Sequence, residues 1–176
     1  MASMAGFICI IYANVHAERP IVAPYGGRDA RFVTNPYCTS IPATNKHPMF
    51  LLDMATSTIA MGKARVANLS GKQIPEGSVI DSQGNPTTDP TVMFSDPAGS
   101  LTTFGQHKGF GLALLGDILG GAFGGGGAYL PEREVQGRII NNMMAILIDP
   151  DVFGGAEEFG IDIDRYIDWE IGRAHV

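Results

Sequence analysis

The stretch FGQHKGFGLALLGDIL, Phe104 to Leu119, places a glycine-flanked turn directly before an apolar run with helical spacing. The spacing predicts a helix from Lys108 to about Ala122. Apolar side chains occupy most of its circumference, which is typical of a helix buried on most sides. We therefore expect this helix at the centre of the fold. The apolar positions are Phe110, Leu112, Leu114, Leu115, Ile118 and Leu119.

The residues that open this helix combine features of an anion-binding site with those of a simple turn. His107 and Lys108 precede Gly109 and Gly111. A helix N-terminus carries unpaired N–H groups and about half a positive charge, so a phosphate placed there is stabilised. The alternative is that Gly105 and Gly109 form a tight turn and that Lys108 is solvated. The spacing fits neither the P-loop pattern nor the dinucleotide fingerprint, so it does not by itself identify a phosphate site. The anion-binding interpretation and the simple turn both stay open.

A second polar segment, LLDMATSTIA from residue 51 to 60, follows a predicted buried strand at Met49 to Leu52. Asp53 stands at the end of that strand. Thr56 or Ser57 then begins a predicted helix that reaches Asn68. A carboxylate at a strand end is suited to bind a ligand hydroxyl. The simpler alternative is that Asp53 or Thr56 only caps the helix.

The other patterns are short β-type runs separated by loops rich in Gly, Pro, Asn and Asp. They predict strands at Phe7 to Tyr12, Tyr37 to Ile41 and Met143 to Asp149. A hairpin turn is expected at Asp81 to Asn85, and GGAFGGGGAYLPE is a predicted glycine-rich loop. The pattern indicates a mixed α/β domain.

Composition narrows the classes of partner. The net charge is −6 and only 17% of the 176 residues are charged, which argues against a nucleic-acid surface and favours small molecules. Cys9 and Cys38 lack metal-type spacing, so we expect free thiols in a reducing compartment, the cytoplasm. The four histidines show no HExxH or paired spacing, so no metal site is predicted.

The two ends of the chain suggest a fragment. The opening MASMAGFICIIYANV holds about six apolar residues together, too few for a membrane-spanning helix. The tail EIGRAHV, Glu170 to Val176, resembles the translation of a sequencing adapter. We therefore expect one domain over residues 1–169, truncated at both ends, and a non-native tail over 170–176.

Six motifs in order resemble one family, the malate/L-lactate dehydrogenase type of NAD(P)-dependent oxidoreductase. They are VAPYGG, VTNP, LLDMATSTIAMGKA, GKQIPEGSVIDSQGNPTTDP, FGQHKGFGLALLGDILGGAFGG and ILIDPDVFG. The family is unrelated to the Rossmann lactate dehydrogenases and includes ureidoglycolate, sulfolactate and diketogulonate enzymes. The resemblance implies an α+β fold, with a largely antiparallel sheet flanked by helices, that binds NAD or NADP without a Rossmann domain.

The resemblance also implies a function and a set of cofactor contacts. The reaction is hydride transfer between NAD(P)H and a 2-keto or 2-hydroxy acid, and the parent enzyme is a cytoplasmic homodimer with no membrane or nucleic-acid partner. The family's catalytic histidine falls in an N-terminal region outside this match, so the catalytic residues stay unassigned and we expect little turnover from this chain alone. The alternative is a non-catalytic nucleotide-binding or structural fragment. The implied cofactor contacts are Asp53, Met54, Ala55, Thr56, His107, Lys108 and Gly109.

Overall fold

The computed structural model describes residues 2–17, 19–133 and 138–172. Strands and helices alternate irregularly along the chain, and the helix His107–Leu115 continues without a break into a π-helical segment, Gly116–Phe123. Three short 3-10 helices lie at Ser3–Ala5, Pro90–Phe94 and Pro150–Val152. The regular elements are β1 (Ile8–His16), β2 (Tyr37–Ile41), β3 (Phe50–Met54), α1 (Met61–Leu69), β4 (Val79–Ile80), β5 (Pro86–Thr87), β6 (Ser100–Leu101), α2 (His107–Leu115), β7 (Ile140–Ile148) and α3 (Ala156–Gly172).

The chain divides into two compact units. Among the described residues, the first contains 2–11, Cys38–Asp53 and 145–172, and the second contains Tyr12–Tyr37 and Met54–Met144. Strands of the four-stranded sheet follow the order β3-β2-β1-β7. The prediction that residues 1–169 form one cofactor-binding domain stays a prediction.

The first unit is characterised by an exposed edge strand and a long helix. The strand predicted at Met49 to Leu52 exists as β3, but its predicted burial is wrong, since Leu51 is 55% exposed. The side chains on both faces of this edge strand are exposed, because none of the described residues covers Phe50, Leu51 or Leu52. The helix α3 is tied to the 44–47 loop, where His47 Nε2 and Lys46 Nζ each lie 3.1 Å from an oxygen of Asp168.

The second unit holds a hydrophobic core and a three-stranded antiparallel sheet of order β5-β4-β6. Val79 pairs with Thr87 on one side and with Leu101 on the other. The predicted hairpin turn is confirmed, because the Asp81 carboxylate accepts hydrogen bonds from the backbone N–H groups of Gln83 and Asn85. The core residues are Val22, Phe32, Ile59, Ala64, Ile74, Val79, Met93, Leu101 and Ala113.

The helix α1 begins later than the sequence predicted. Its first residue is Met61, its N-cap is Ala60, and no side chain caps it. The predicted cap by Thr56 or Ser57 is therefore wrong. The Thr56 hydroxyl donates to the Thr34 carbonyl at 2.8 Å, and the Ser57 hydroxyl donates to the Ile59 carbonyl at 2.8 Å. Both hydroxyls fix the extended segment that precedes the helix.

The helix predicted from Lys108 to Ala122 is present as α2 and the π-helical segment, but its expected burial on most sides is wrong. Leu114 is 42% exposed and Ile118 is 54% exposed. The buried face consists of small residues, because the backbone of this helix packs directly against neighbouring backbone. These small residues are Gly109, Ala113, Gly116, Gly120 and Gly121.

The remaining features agree with a mixed α/β fold with antiparallel sheet and helices. Cys9 and Cys38 are free thiols. Within the described residues, no helix is long and apolar enough to cross a membrane. Of the predicted non-native tail, residues 170–172 continue α3, and residues 173–176, which include one of the four histidines, lie outside the described residues.

Candidate functional site

The two segments that the sequence singled out are joined by backbone hydrogen bonds in the second unit. The N–H of Phe104 donates to the Thr56 carbonyl at 3.1 Å, and the N–H of Thr58 donates to the Thr102 carbonyl at 2.9 Å. Ser57 and Thr103 form an antiparallel bridge between these contacts. The segment after β3 thus runs beside the segment that leads into α2.

The turn before α2 has an unusual backbone. Gln106 has φ 59° and ψ −121°, and the preceding Gly105 has φ 53°. A positive φ in a residue other than glycine costs about 1–3 kcal/mol and persists only where the surroundings enforce it. The Thr103 hydroxyl contributes to this by donating to the Gln106 carbonyl at 2.8 Å. The strained residue therefore lies directly before the predicted site residues.

The first amides of α2 are not free, contrary to the expectation of unpaired N–H groups at its N-terminus. The N–H of Lys108 donates to the Gly105 carbonyl at 3.2 Å, and that of Gly109 donates to the Phe104 carbonyl at 3.1 Å. The loop folds back under the helix, and its carbonyls take bonds that a ligand would otherwise make. An anion at this end would therefore interact mainly with the Lys108 side chain and the helix dipole.

Gly109 is needed for the turn itself. A Cβ added at this position would fall 2.2 Å from the Phe104 carbonyl oxygen, a distance that no side chain tolerates. At Gly111, two residues further along the helix, no atom lies within 4 Å of such a Cβ. The turn therefore requires the glycine of the HKG motif, His107 to Gly109, whether or not a ligand binds here.

The side chains of His107 and Lys108 are exposed at the start of α2. Within the described part of the chain, no carboxylate lies within 4.0 Å of the Lys108 ammonium. The His107 ring contacts the Tyr25 ring edge to face, with centroids 5.9 Å apart. Lys108 therefore presents a cation without a carboxylate partner among the described residues, and its neighbour His107 forms a ring pair with Tyr25.

The residues of the DMAT segment have different environments. Asp53 is exposed on β3. Burial of the Cys38 thiol raises its pKa, and the nearby charge of Asp53 raises that pKa further. Met54 ends β3, and Ala55 is half-buried. Thr56 is fully buried, so its side chain positions the segment. That Asp53 and Lys108 both contact the cofactor stays a prediction.

A cavity of about 320 Å³ lies in the second unit beside the turn before α2. Its lining includes Pro24, Tyr25, Thr103 and Gln106. Another cavity, of about 520 Å³, lies in the first unit and is lined mainly by apolar residues such as Ile8 and Phe159. The first of these two cavities lies next to the predicted site. Its lining residue Gln106 directly precedes His107, and its lining residue Tyr25 contacts the His107 ring.

Two buried asparagines, Asn14 and Asn35, hold the helix by hydrogen bonds that the sequence did not predict. Asn35, at φ 26°, accepts a hydrogen bond from the Val15 N–H at 3.2 Å and donates to the Ala113 carbonyl at 3.0 Å. Asn14 donates to Asp117 and accepts from the Asn142 amide at 2.9 Å. The signal that could have found them is an asparagine within otherwise apolar β-type sequence, as in IYANV and VTNP.

Among the described residues, no three His, Cys, Asp or Glu side chains lie together in a position to hold a metal ion. The polar chemistry of the candidate site therefore comes from Lys108, His107, Tyr25 and backbone groups.

The sequence and the fold match those of one family. The family described as malate/L-lactate dehydrogenase matches residues 1–173. This chain belongs to the malate/L-lactate dehydrogenase family.

Relatives and solved structures give the extent of the match. An L-lactate dehydrogenase from Cupriavidus necator is 41% identical over 95% of this chain and 48% of its own length. Hydroxycarboxylate dehydrogenase B from Escherichia coli K12 is 43% identical over 97% of this chain and 47% of its own length. The solved sulfolactate dehydrogenase from Methanocaldococcus jannaschii has a TM-score of 0.76 at 33% identity, over 99% of this chain and 49% of that one. This chain therefore spans about half the length of the curated relatives it matches.

Proposed function

We propose that this chain is the cofactor-binding part of a 2-hydroxy acid dehydrogenase that uses NAD or NADP. The observation that carries the proposal is the backbone pairing of the Thr56–Thr58 segment with Thr102–Phe104, which joins the DMATS segment to the residues before the HKG motif. The proposed contacts are Asp53, Met54, Ala55, Thr56, His107, Lys108 and Gly109. The parent enzyme is proposed to be a cytoplasmic homodimer.

The residues at the start of α2 fit a dinucleotide in charge and access. Lys108 is exposed and has no carboxylate within salt-bridge distance in the described chain, so its charge is available to a phosphate. The dipole of α2 adds to this attraction within the first turn. Because the amides of Lys108 and Gly109 are already bonded, the fit depends on the side chain.

When bound, the nicotinamide supplies the hydride acceptor or donor for a 2-hydroxy or 2-keto acid. The chain's own residues would bind and orient it. Lys108 would neutralise phosphate charge. Thr56, through its bonds to Thr34, would keep the DMATS segment against the turn. The names of the relatives, lactate, hydroxycarboxylate and sulfolactate dehydrogenases, support a 2-hydroxy acid as the substrate class.

The experiment is a titration of NADH and of NADPH, followed by the increase of their fluorescence on binding. We expect Lys108→Ala to weaken binding by about 10- to 150-fold, since a charge-assisted contact contributes about 1.5–3 kcal/mol. The matched control is Lys63→Ala, because Lys63 is also exposed but lies on α1. Circular dichroism checks that both variants keep the fold.

Equal affinities for wild type, Lys108→Ala and Lys63→Ala would contradict the proposal. That result would favour the alternative in which the HKG motif is only a turn, as the bonded amides of Lys108 and Gly109 allow. The ratio of the NADH and NADPH affinities decides between the two cofactors.

A further inference from the structure

A third cavity, of about 240 Å³, lies in the second unit and has two arginines in its lining. Arg19 and Arg28 line it together with Ser82 and Ser100, and the one carboxylate among its described lining residues is that of Asp29. The chain has a net charge of −6 and only 12 lysines and arginines, so two guanidinium groups at one small cavity concentrate positive charge there. This lining favours a small anion.

The Arg19 guanidinium is oriented by a backbone group. Its Nη2 donates a hydrogen bond to the Met93 carbonyl oxygen at 3.0 Å. No carboxylate among the described residues lies within 4.0 Å of this guanidinium. A guanidinium carries several N–H donors in a fixed plane, so one bond to Met93 orients the group and leaves its other donors to a ligand.

Arg28 is held at its backbone, while its charge is only loosely paired. The Ser100 hydroxyl donates to the Arg28 carbonyl at 3.2 Å, and a Cβ added at Gly84 would lie 3.0 Å from the Arg28 Cβ, so the hairpin turn packs against this residue. Asp29 lies 3.5 Å from the guanidinium of Arg28 and 3.5 Å from that of Arg31. These three side chains are 61–66% exposed, and exposed ion pairs contribute little, so an anion can compete with Asp29 for Arg28.

The volume and the donors of this cavity define the class of ligand. Pockets for drug-sized ligands measure about 300–1,000 Å³, so a cavity of about 240 Å³ takes only a smaller molecule. Guanidinium groups bind carboxylate and phosphate oxygens through paired N–H···O bonds. Two guanidinium groups therefore suit a small ligand with two negative charges, which a phosphate or a short dicarboxylate provides.

This cavity is separate from the one beside the turn before α2, and the two share no lining residue. Both are lined by the chain segments 19–30 and 97–106. These segments are joined by backbone hydrogen bonds, from the Leu101 N–H to the Ile21 carbonyl at 2.8 Å and from the Ala23 N–H to the Leu101 carbonyl at 3.0 Å. An anion in this cavity would thus be a second ligand, and not a part of the proposed cofactor.

We propose that this cavity binds a small dianion, a phosphate or a short dicarboxylate, between Arg19 and Arg28. The test is a calorimetric titration of the whole chain with inorganic phosphate, with succinate and, for a single charge, with acetate. We expect Arg19→Gln and Arg28→Gln each to weaken dianion binding about tenfold. Asp29→Asn removes the competing carboxylate and should strengthen binding about two- to fivefold, a gain that damage to the fold would not produce.

The matched control is Arg65→Gln, which removes an exposed arginine of α1 and should leave dianion binding unchanged. Circular dichroism checks the fold of each variant. Arg28→Gln removes only an exposed contact with Asp29, so it tests the proposal even if Arg19→Gln fails to fold. Tighter binding of phosphate than of succinate, or the reverse, supports the site and identifies the source of its dianion.

Three results would overturn the proposal. In the first, neither dianion binds more tightly than acetate. In the second, wild type, Arg28→Gln and Arg65→Gln bind the dianions equally well. In the third, saturating NADH abolishes phosphate binding, which would place the phosphate in the cofactor site. If wild type binds a dianion through the two arginines but binds neither NADH nor NADPH, this inference stands while the proposed function fails.

Discussion

The two ends of the α2 helix and its π-helical continuation differ in what their glycines do. At the C-terminal end, Gly116 and Gly120 lie against backbone, where an added Cβ would fall 2.8 Å from the carbonyl oxygens of Ala13 and Tyr12 respectively. At the N-terminal end, Gly111 faces open space, and His107 and Lys108 are exposed. The C-terminal end is fixed by close backbone contact, whereas the N-terminal end, apart from the buried Gly109, presents side chains that a ligand can reach. The same residue type therefore has opposite roles within one helix.

The largest expected effect is at the fixed end. Gly120→Ala places a Cβ 2.8 Å from the Tyr12 carbonyl oxygen and 2.9 Å from the Asn14 nitrogen. Neither contact is with a flexible side-chain end, so the backbone must shift. We expect a loss of about 3 kcal/mol in the free energy of unfolding, measured by urea denaturation followed by circular dichroism. Wild-type stability in this variant would show that the close packing is not as described.

The next effect concerns the asparagine behind the helix. Asn35→Ala removes the partner of the Val15 N–H and of the Ala113 carbonyl, and leaves alanine at φ 26°. The expected loss is about 2 kcal/mol in the free energy of unfolding, because buried polar groups are left without partners. Asn45→Ala, at an exposed asparagine, serves as the control and should stay within about 0.5 kcal/mol. Equal losses in the two variants would contradict the role of Asn35.

The accessible end should respond in the opposite direction. Gly111→Ala adds a methyl group into open space within the helix, so it should raise the free energy of unfolding by about 0.5–1 kcal/mol. The same urea experiment measures it beside Gly120→Ala. A destabilised Gly111→Ala variant would remove the contrast between the two ends.

The smallest effect is on the pH dependence of the free energy of unfolding. Changes in the α2 helix should leave this pH dependence unaltered. Bonds from the Asn85 backbone and side chain, and from the Gln83 backbone, hold the pKa of Asp81 below its usual value. A lowered pKa stabilises the fold above the unfolded value, near 3.8, and this contribution is lost as the pH falls through the folded value. We expect Asp81→Asn to flatten the acid limb of the stability curve, while Gly111→Ala shifts the whole curve in parallel. A changed slope in Gly111→Ala would contradict this independence.

The sequence predicted those parts of the fold that depend on local chemistry. The hairpin turn follows from Asp81, Gly84 and Asn85, whose side chains or positive φ make the turn without help from distant residues. The strand at Tyr37–Ile41 was predicted with its observed bounds. The start of α2 was predicted to within one residue, because glycines mark the turn before it.

The parts that failed depend on distant partners. Apolar periodicity treats leucines as the buried face of a helix. The π-helical segment instead buries glycines, because they allow close contact with the backbone of Tyr12 and Ala13 and with the side chain of Asn35. The predicted cap at Thr56 is wrong because the Thr56 hydroxyl donates its hydrogen bond to the carbonyl of Thr34, which is distant in sequence. At the site, the sequence identified His107 and Lys108 but not the contact of the Tyr25 ring with His107, since that contact joins a distant loop to the first residue of α2.

The most direct test of the central claim is hydrogen–deuterium exchange of the wild-type chain with and without saturating NADH or NADPH. The account predicts slower exchange on binding in peptides that cover 54–58 and 104–110, the paired segments at the start of α2. Binding that slows exchange only elsewhere, for example in α3 or in the hairpin at Asp81, would contradict it.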